Sequence, residues 1–117
     1  MRQNMQFLTI LIIMLFSASS YPGQIYGTLT IIESGQRFVQ KNVEIEIVPV
    51  ISTERHYKIF TDKFGSYRLF VGENGKCSLS TQYGGFSPTI EIHSYNNPVR
   101  YNLILEKRDG KYRLRGE

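Results

Sequence analysis

Few residues of this chain have the types and spacing that support catalysis. Its two histidines, His56 and His93, are the candidate bases, and Cys77 is the single cysteine that could act as a nucleophile. Cys77 alternates with Leu79, which predicts a strand that turns both side chains inward, where a free cysteine packs as a small hydrophobe. A buried thiol cannot reach a surface histidine. We therefore expect no catalytic residues and no enzymatic activity.

Metal and cofactor sites are also not indicated. The sequence has no cysteine pair, no histidine pair at helical spacing and no calcium loop of alternating Asp and Asn. Glu44 and Glu46 share the outward face of an alternating strand, which is typical of solvated carboxylates. We expect no metal and no cofactor. One alternative stays open: a small hydrolase or carbohydrate-binding accessory protein that uses loop residues near His56 or His93.

Aromatic residues in loops are the candidate ligand contacts. Tyr83 and Phe86 flank a Gly-Gly turn, and Tyr95 precedes two asparagines. Flat rings can stack on a ligand while neighbouring amides bond its hydroxyl groups. Loop rings can also cap the end of a β-sandwich core, so both interpretations stay open.

The elements that position these residues are strands. Asp62 can bond its own backbone two residues on, and Gly65 can take the positive φ of a tight turn before the alternating strand that begins near Tyr67. Six further alternating segments are separated by Gly, Pro, Asn and Ser, and none has helical periodicity. The sequence predicts an all-β, seven-stranded antiparallel sandwich with strands at about 25–32, 43–47, 57–61, 66–71, 76–83, 90–93 and 99–105.

The first twenty residues have the layout of a secretory signal peptide. Arg2 is followed by an apolar run from Phe7 to Phe16 and then by small residues up to Ser20. The run is about half the roughly 20 residues that span a bilayer, so we expect cleavage before Tyr21 and no retained membrane anchor. The expected location is secreted, periplasmic or at the cell envelope.

The rest of the chain is long enough for one domain. We expect residues 21–106 to form the sandwich and residues 107–117 to form a basic tail. The net charge of +4 is spread over strands and turns, so we expect no nucleic-acid partner. The tail is either a solvated extension or a contact with anionic lipid or glycan. Its cations are Lys107, Arg108, Lys111, Arg113 and Arg115.

Several motifs resemble the carboxypeptidase regulatory-like domains, a part of the transthyretin-like sandwich group that includes the collagen-adhesin B-type repeats. The resemblance runs from about Gln24 to Glu106. It rests on Ile25-x-Gly27-x-Leu29, Val43-x-Ile45-x-Ile47, Thr61-Asp62-x-x-Gly65-x-Tyr67-x-Leu69 and Tyr101-x-Leu103-x-Leu105. It implies an accessory, spacing or ligand-presenting unit without catalytic residues of its own.

The sequence as a whole predicts a non-enzymatic binding, scaffold or accessory module at the cell envelope or outside the cell. The expected partner is a protein or a glycan of unknown identity. Self-association is also possible, because an open sandwich has sheet edges to which strands of another copy can pair.

Overall fold

The computed structural model describes residues 23–117, which form ten strands in two sheets and no helix. The predicted signal peptide, residues 1–20, lies outside the described residues. The prediction of an all-β sandwich of two sheets is confirmed. The strands are β1 (Gln24–Glu33), β2 (Gln36–Val39), β3 (Glu44–Pro49), β4 (Tyr57–Phe60), β5 (Ser66–Phe70), β6 (Gly75–Thr81), β7 (Thr89–Ser94), β8 (Val99–Arg100), β9 (Leu103–Arg108) and β10 (Lys111–Gly116).

The first sheet is organised around β1, which pairs with four other strands. Its N-terminal half lies between β5 and β8, and its C-terminal half lies between β2 and β9, with β10 beyond β9. Inward and outward side chains alternate along β1, so that Ile25, Leu29 and Ile31 are buried while Tyr26 and Thr28 are only partly covered. The central strand therefore offers one face to the core and the other to the surface.

The second sheet is entirely antiparallel, in the order β4-β3-β6-β7. Its inward residues meet those of β1 and β9 in a single core of aliphatic side chains. Ile45, Ile47 and Leu79 are fully buried there, and the side chain of Cys77, a free thiol, is buried in the same core. These residues alternate with polar ones along each strand, which is why the two sheets can close over one apolar layer.

The prediction of seven strands is wrong for two reasons: two hairpins add β2 and β10 to the first sheet, and the last predicted strand is divided in two. Ser34-Gly35 joins β1 to β2, and Asp109-Gly110 joins β9 to β10; all four residues have positive φ, between 51° and 78°. Two-residue turns of this kind match the right-handed twist of paired strands. Residues 107–117 therefore do not form a tail as expected: β9 continues to Arg108, and β10 places Leu114 in the core.

The last predicted strand, 99–105, is divided into β8 and β9 at Tyr101-Asn102. Both pieces run parallel to β1, so the expectation of purely antiparallel pairing is also wrong. At the break, the Tyr101 N–H donates to the carbonyl oxygen of Tyr26 at 2.8 Å. A Cβ on Gly27 would stand 1.9 Å from the Tyr101 carbonyl oxygen, so the close approach of these backbones depends on glycine.

The turn between β4 and β5 is held by the Asp62 carboxylate. Its Oδ1 accepts hydrogen bonds from the N–H groups of Phe64 and Ser66, both at 2.9 Å. The Gly65 N–H donates to the Asp62 carbonyl at 3.0 Å, and Gly65 has a φ of 75°. The turn passes the chain from the second sheet to the first and so brings β4 next to β5. Within residues 23–117, no helix is long and apolar enough to cross a bilayer.

Candidate ligand-binding groove

The structure separates the three aromatic residues singled out in the sequence. Tyr83 and Phe86 face each other across a tight turn, and each N–H donates to the other's carbonyl oxygen, at 3.0 and 2.9 Å. Both rings pack on Tyr112 of β10, with ring centroids 4.9 Å and 5.9 Å away. Burial raises the pKa of the Tyr83 hydroxyl, and the nearby charge of Glu33 adds to that effect. These rings pack against one another at one end of the sandwich.

Tyr95 follows the other end of β7 and does not join that cluster. Its ring is half exposed and stacks on His93 with 6.0 Å between centroids and 16° between planes. The His93 backbone is bound twice by Tyr101: its N–H donates to the Tyr101 hydroxyl at 2.9 Å, and that hydroxyl donates to the His93 carbonyl at 3.2 Å. The Tyr101 hydroxyl therefore joins β7 to the segment between β8 and β9.

The two histidines lie far apart. His56 precedes β4 and His93 belongs to β7, which are the opposite edges of the second sheet, three strand spacings or roughly 14 Å apart. His56 Nδ1 is 3.3 Å from Glu46, which Lys58 also approaches to 3.5 Å. The Cys77 thiol is buried and lies 3.6 Å from the Gly75 carbonyl oxygen; burial raises its pKa. In the part of the chain that the structure describes, neither histidine side chain forms a hydrogen bond with the Cys77 thiol.

A groove of about 590 Å³ opens where β4 of the second sheet meets β5 of the first. Its volume falls within the range of small-molecule sites. We call it the Tyr26 groove. The residues that line it come from β1, β4, β5 and β8 and the segments next to them: Tyr26, Gly27, Thr28, Ile59, Phe60, Asp62, Ser66, Tyr67, Arg68, Arg100 and Asn102.

Two arginines flank the Tyr26 ring within this groove. Tyr26 is directly opposite Arg68 of β5 on one side and Arg100 of β8 on the other. The guanidinium carbons lie 5.6 Å and 5.2 Å from the ring centroid, within the distance of a cation–π contact. Both arginine side chains belong to exposed residues. The register of three neighbouring strands thus assembles two cations on one aromatic ring.

The rest of the groove combines polar groups with one exposed ring. The Thr28 hydroxyl donates to the Asn102 side-chain oxygen at 3.3 Å, and the Ser66 side chain lies on the same face. Phe60 is 58% exposed, so its ring is open to a ligand. Asp62 is the acid among the lining residues, and its Oδ1 is already engaged by two N–H groups of the turn.

Tyr67 has a structural role at this groove. Its hydroxyl donates to the Tyr101 carbonyl oxygen at 2.6 Å, and its side chain is 4% exposed. Burial raises the pKa of the Tyr67 hydroxyl above its ordinary value, with a smaller contribution from Tyr101. At neutral pH the hydroxyl therefore stays protonated and continues to donate.

Sequence reasoning missed the groove because its main residues are far apart in the chain. The alternation of β1 and β5 places Tyr26 and Arg68 on outward positions, which is the available signal. Nothing local indicates that Arg100 lies beside them, because parallel pairing of β8 with β1 is a long-range contact. Among residues 23–117, no group of three or more His, Cys, Asp or Glu side chains could hold a metal ion.

No family model matches this chain, and no curated protein matches it. Among solved structures, it is similar to a crystal structure from Pseudomonas aeruginosa of a protein described as a candidate carbohydrate-binding protein. The TM-score is 0.56 at 14% sequence identity, and the match covers 75% of this chain and 90% of the other. At this identity the likeness concerns the fold alone, which in this chain is a β-sandwich of two sheets.

Proposed function

We propose that this protein is an exported, non-enzymatic binding module that holds a carbohydrate in the Tyr26 groove. The observation that carries the proposal is the composition of the groove: an exposed Phe60 ring beside the Thr28 and Ser66 hydroxyls, the Asn102 amide and two guanidinium groups. Concave sites that combine apolar surface with a few placed polar groups are the usual form of a ligand site.

The chemistry of these groups suits a sugar. One face of a pyranose ring is formed by C–H groups that can pack on an aromatic ring, while its hydroxyls donate and accept hydrogen bonds. Phe60 would supply the ring, and the Ser66 hydroxyl supplies both a donor and an acceptor. The structural neighbour described as a candidate carbohydrate-binding protein supports the same ligand class.

Export would place this groove where extracellular glycans are found. The proposed role is that of an accessory unit, in line with the resemblance to carboxypeptidase regulatory-like domains. Membership in that family, export and self-association through sheet edges remain predictions of the sequence. Binding without catalysis requires only the groove, whose lining residues include neither histidine nor the cysteine.

The experiment is a binding titration of the purified exported protein against a panel of neutral and charged polysaccharides, by calorimetry or affinity electrophoresis. We expect binding of at least one saccharide, and we expect Phe60→Ala to weaken it by roughly three- to tenfold, the size of one stacking contact. Phe64→Ala is the matched control, because Phe64 is 64% exposed on the neighbouring turn and does not line the groove.

The proposal fails if no saccharide of the panel binds. It also fails if Phe60→Ala and Phe64→Ala leave binding equally unchanged. Circular dichroism of each variant verifies that it has kept the β-sheet structure.

A further inference from the structure

We infer that the saccharide held by the Tyr26 groove is anionic and that Arg68 and Arg100 bind its carboxylate or sulfate groups. This inference rests on the proposed function and names the ligand class of that same site. Its basis is the pair of guanidinium groups that flank one tyrosine ring. Arginine presents its donors in a planar fork that matches the two oxygens of an oxyanion.

These two arginines differ from several other cations of the chain. Arg37, Arg55, Arg115 and Lys58 each lie within 4.0 Å of a glutamate oxygen. Within residues 23–117, no carboxylate lies at that distance from Arg68 or Arg100. Their guanidinium groups instead rest on the Tyr26 ring, which holds them in place while their N–H donors remain available to a ligand.

The spacing of the two cations also favours a negatively charged ligand. Arg68 and Arg100 lie two strand spacings apart, roughly 10 Å between backbones. The guanidinium carbons lie 5.6 Å and 5.2 Å from the same ring centroid, so the charges are no more than about 11 Å apart. Because the Debye length at physiological ionic strength is about 8 Å, salt screens their mutual repulsion only in part. An oxyanion between or beside them would remove that repulsion and form charge-assisted hydrogen bonds with both.

A polysaccharide fits this arrangement better than a membrane surface does. The arginines line a groove with the exposed Phe60 ring and the Asn102 amide, and these groups can contact a chain lying along the groove. The cations of the β9–β10 hairpin, including Lys111 and Arg113, are exposed and do not line it. The site of anion binding is therefore assigned to the groove and not to the C-terminal hairpin.

The test uses two matched pairs of probes with the full chain after export. Polygalacturonate is compared with its methyl-esterified form, and dextran sulfate with dextran, so that each pair changes the charge on one type of backbone. The double variant Arg68→Gln/Arg100→Gln is compared with Lys111→Gln/Arg113→Gln, which removes the same charge from exposed positions on β10. Vesicles containing phosphatidylglycerol are a separate probe for lipid binding.

We expect a charged polymer to bind at least about tenfold more tightly than its neutral partner, and the groove variant to lose about tenfold or more of that affinity. The β10 variant should change it by less than about twofold to threefold. Arg68→Lys keeps the charge without the fork and should fall between the groove variant and the unmodified protein. The two matched pairs distinguish carboxylate from sulfate as the preferred group.

Several results would overturn the inference. Equal binding of charged and neutral polymers would refute it and leave the proposed function standing, whereas the absence of binding to any polymer would refute both. If the groove variant and the β10 variant lose the same affinity for the charged polymers, binding depends on the net charge of the protein and the inference is refuted. Binding to the vesicles without binding to any charged polymer would assign the site to lipid.

Discussion

The Tyr67 hydroxyl donates a hydrogen bond of 2.6 Å to the carbonyl oxygen of Tyr101. Tyr101 lies between β8 and β9, outside both strands, and its N–H bonds the Tyr26 carbonyl of β1. One side chain of β5 thus satisfies a backbone acceptor at the point where the chain passes from one pairing of β1 to the next. The bond therefore joins β5 to the segment between β8 and β9.

Removal of this bond should lower stability. We expect Tyr67→Phe to reduce the free energy of unfolding by about 1–2 kcal/mol, because the Tyr101 carbonyl oxygen then loses a donor in a largely buried position. Urea unfolding monitored by circular dichroism measures the change. Tyr95→Phe is the control and should be nearly neutral, because the Tyr95 ring is half exposed. Equal effects of the two variants would contradict the assignment.

The same hydroxyl predicts a dependence of stability on alkaline pH. Burial raises the folded-state pKa of Tyr67, whereas in the unfolded chain it titrates near its ordinary value of about 10. Below that pH both states keep the proton; above it the unfolded chain loses its proton first, so stability falls as pH rises toward the folded-state pKa. Tyr67→Phe should lose less stability than the unmodified protein between about pH 9 and pH 11 in urea unfolding. Equal losses of stability in the two proteins would show that Tyr67 is not the source of the pH dependence.

Gly27 has no room for a side chain. A Cβ there would lie 1.9 Å from the Tyr101 carbonyl oxygen, so Gly27→Ala must push β1 away from the β8–β9 break. We expect a loss of about 2–4 kcal/mol in unfolding free energy. Gly116→Ala is the matched control, because nothing lies within 4 Å of a Cβ at that position. A Gly27→Ala protein as stable as the control would show that the two backbones are not in contact.

The C-terminal strand should contribute to the core. Leu114 is 8% exposed, so Leu114→Ala should cost about 2–3 kcal/mol of stability, whereas Arg113→Ala on the exposed face should cost less than about 0.5 kcal/mol. Thermal or urea unfolding of the two variants measures the difference. A solvated tail would make both substitutions neutral, and that result would restore the expectation drawn from the sequence.

The aromatic cluster of Tyr83, Phe86 and Tyr112 should stabilise one end of the sandwich without binding the ligand. We expect Tyr112→Ala to lower the unfolding free energy by about 1–3 kcal/mol, since Tyr83 packs edge-on against it at 4.9 Å. Saccharide affinity should be unchanged. If Tyr83→Ala and Phe86→Ala instead keep their stability and lose saccharide binding, these rings are ligand contacts. Tyr95→Ala tests the third ring in the same two measurements.

Local sequence patterns were sufficient for most of the fold. Alternation places Ile25, Ile45 and Leu79 inward because side chains of a strand point to opposite faces in turn, and these residues are fully buried. The Asp62 turn also follows from local chemistry, since a carboxylate can bond N–H groups two and four residues on. The Asp109-Gly110 pair carries an equally local hairpin signal, and interpreting residues 107–117 as a tail overlooked it.

Alternation and turn chemistry were enough to predict the strands, their inward-facing residues and two layers over an apolar interior, because each of these depends on neighbours along the chain. The parallel pairing of β8 and β9 with β1, and the meeting of Arg68 and Arg100 on Tyr26, become visible only in the folded molecule. Strand register between distant segments depends on the fit of the whole core, which no local pattern encodes. The candidate groove belongs to this second kind of information.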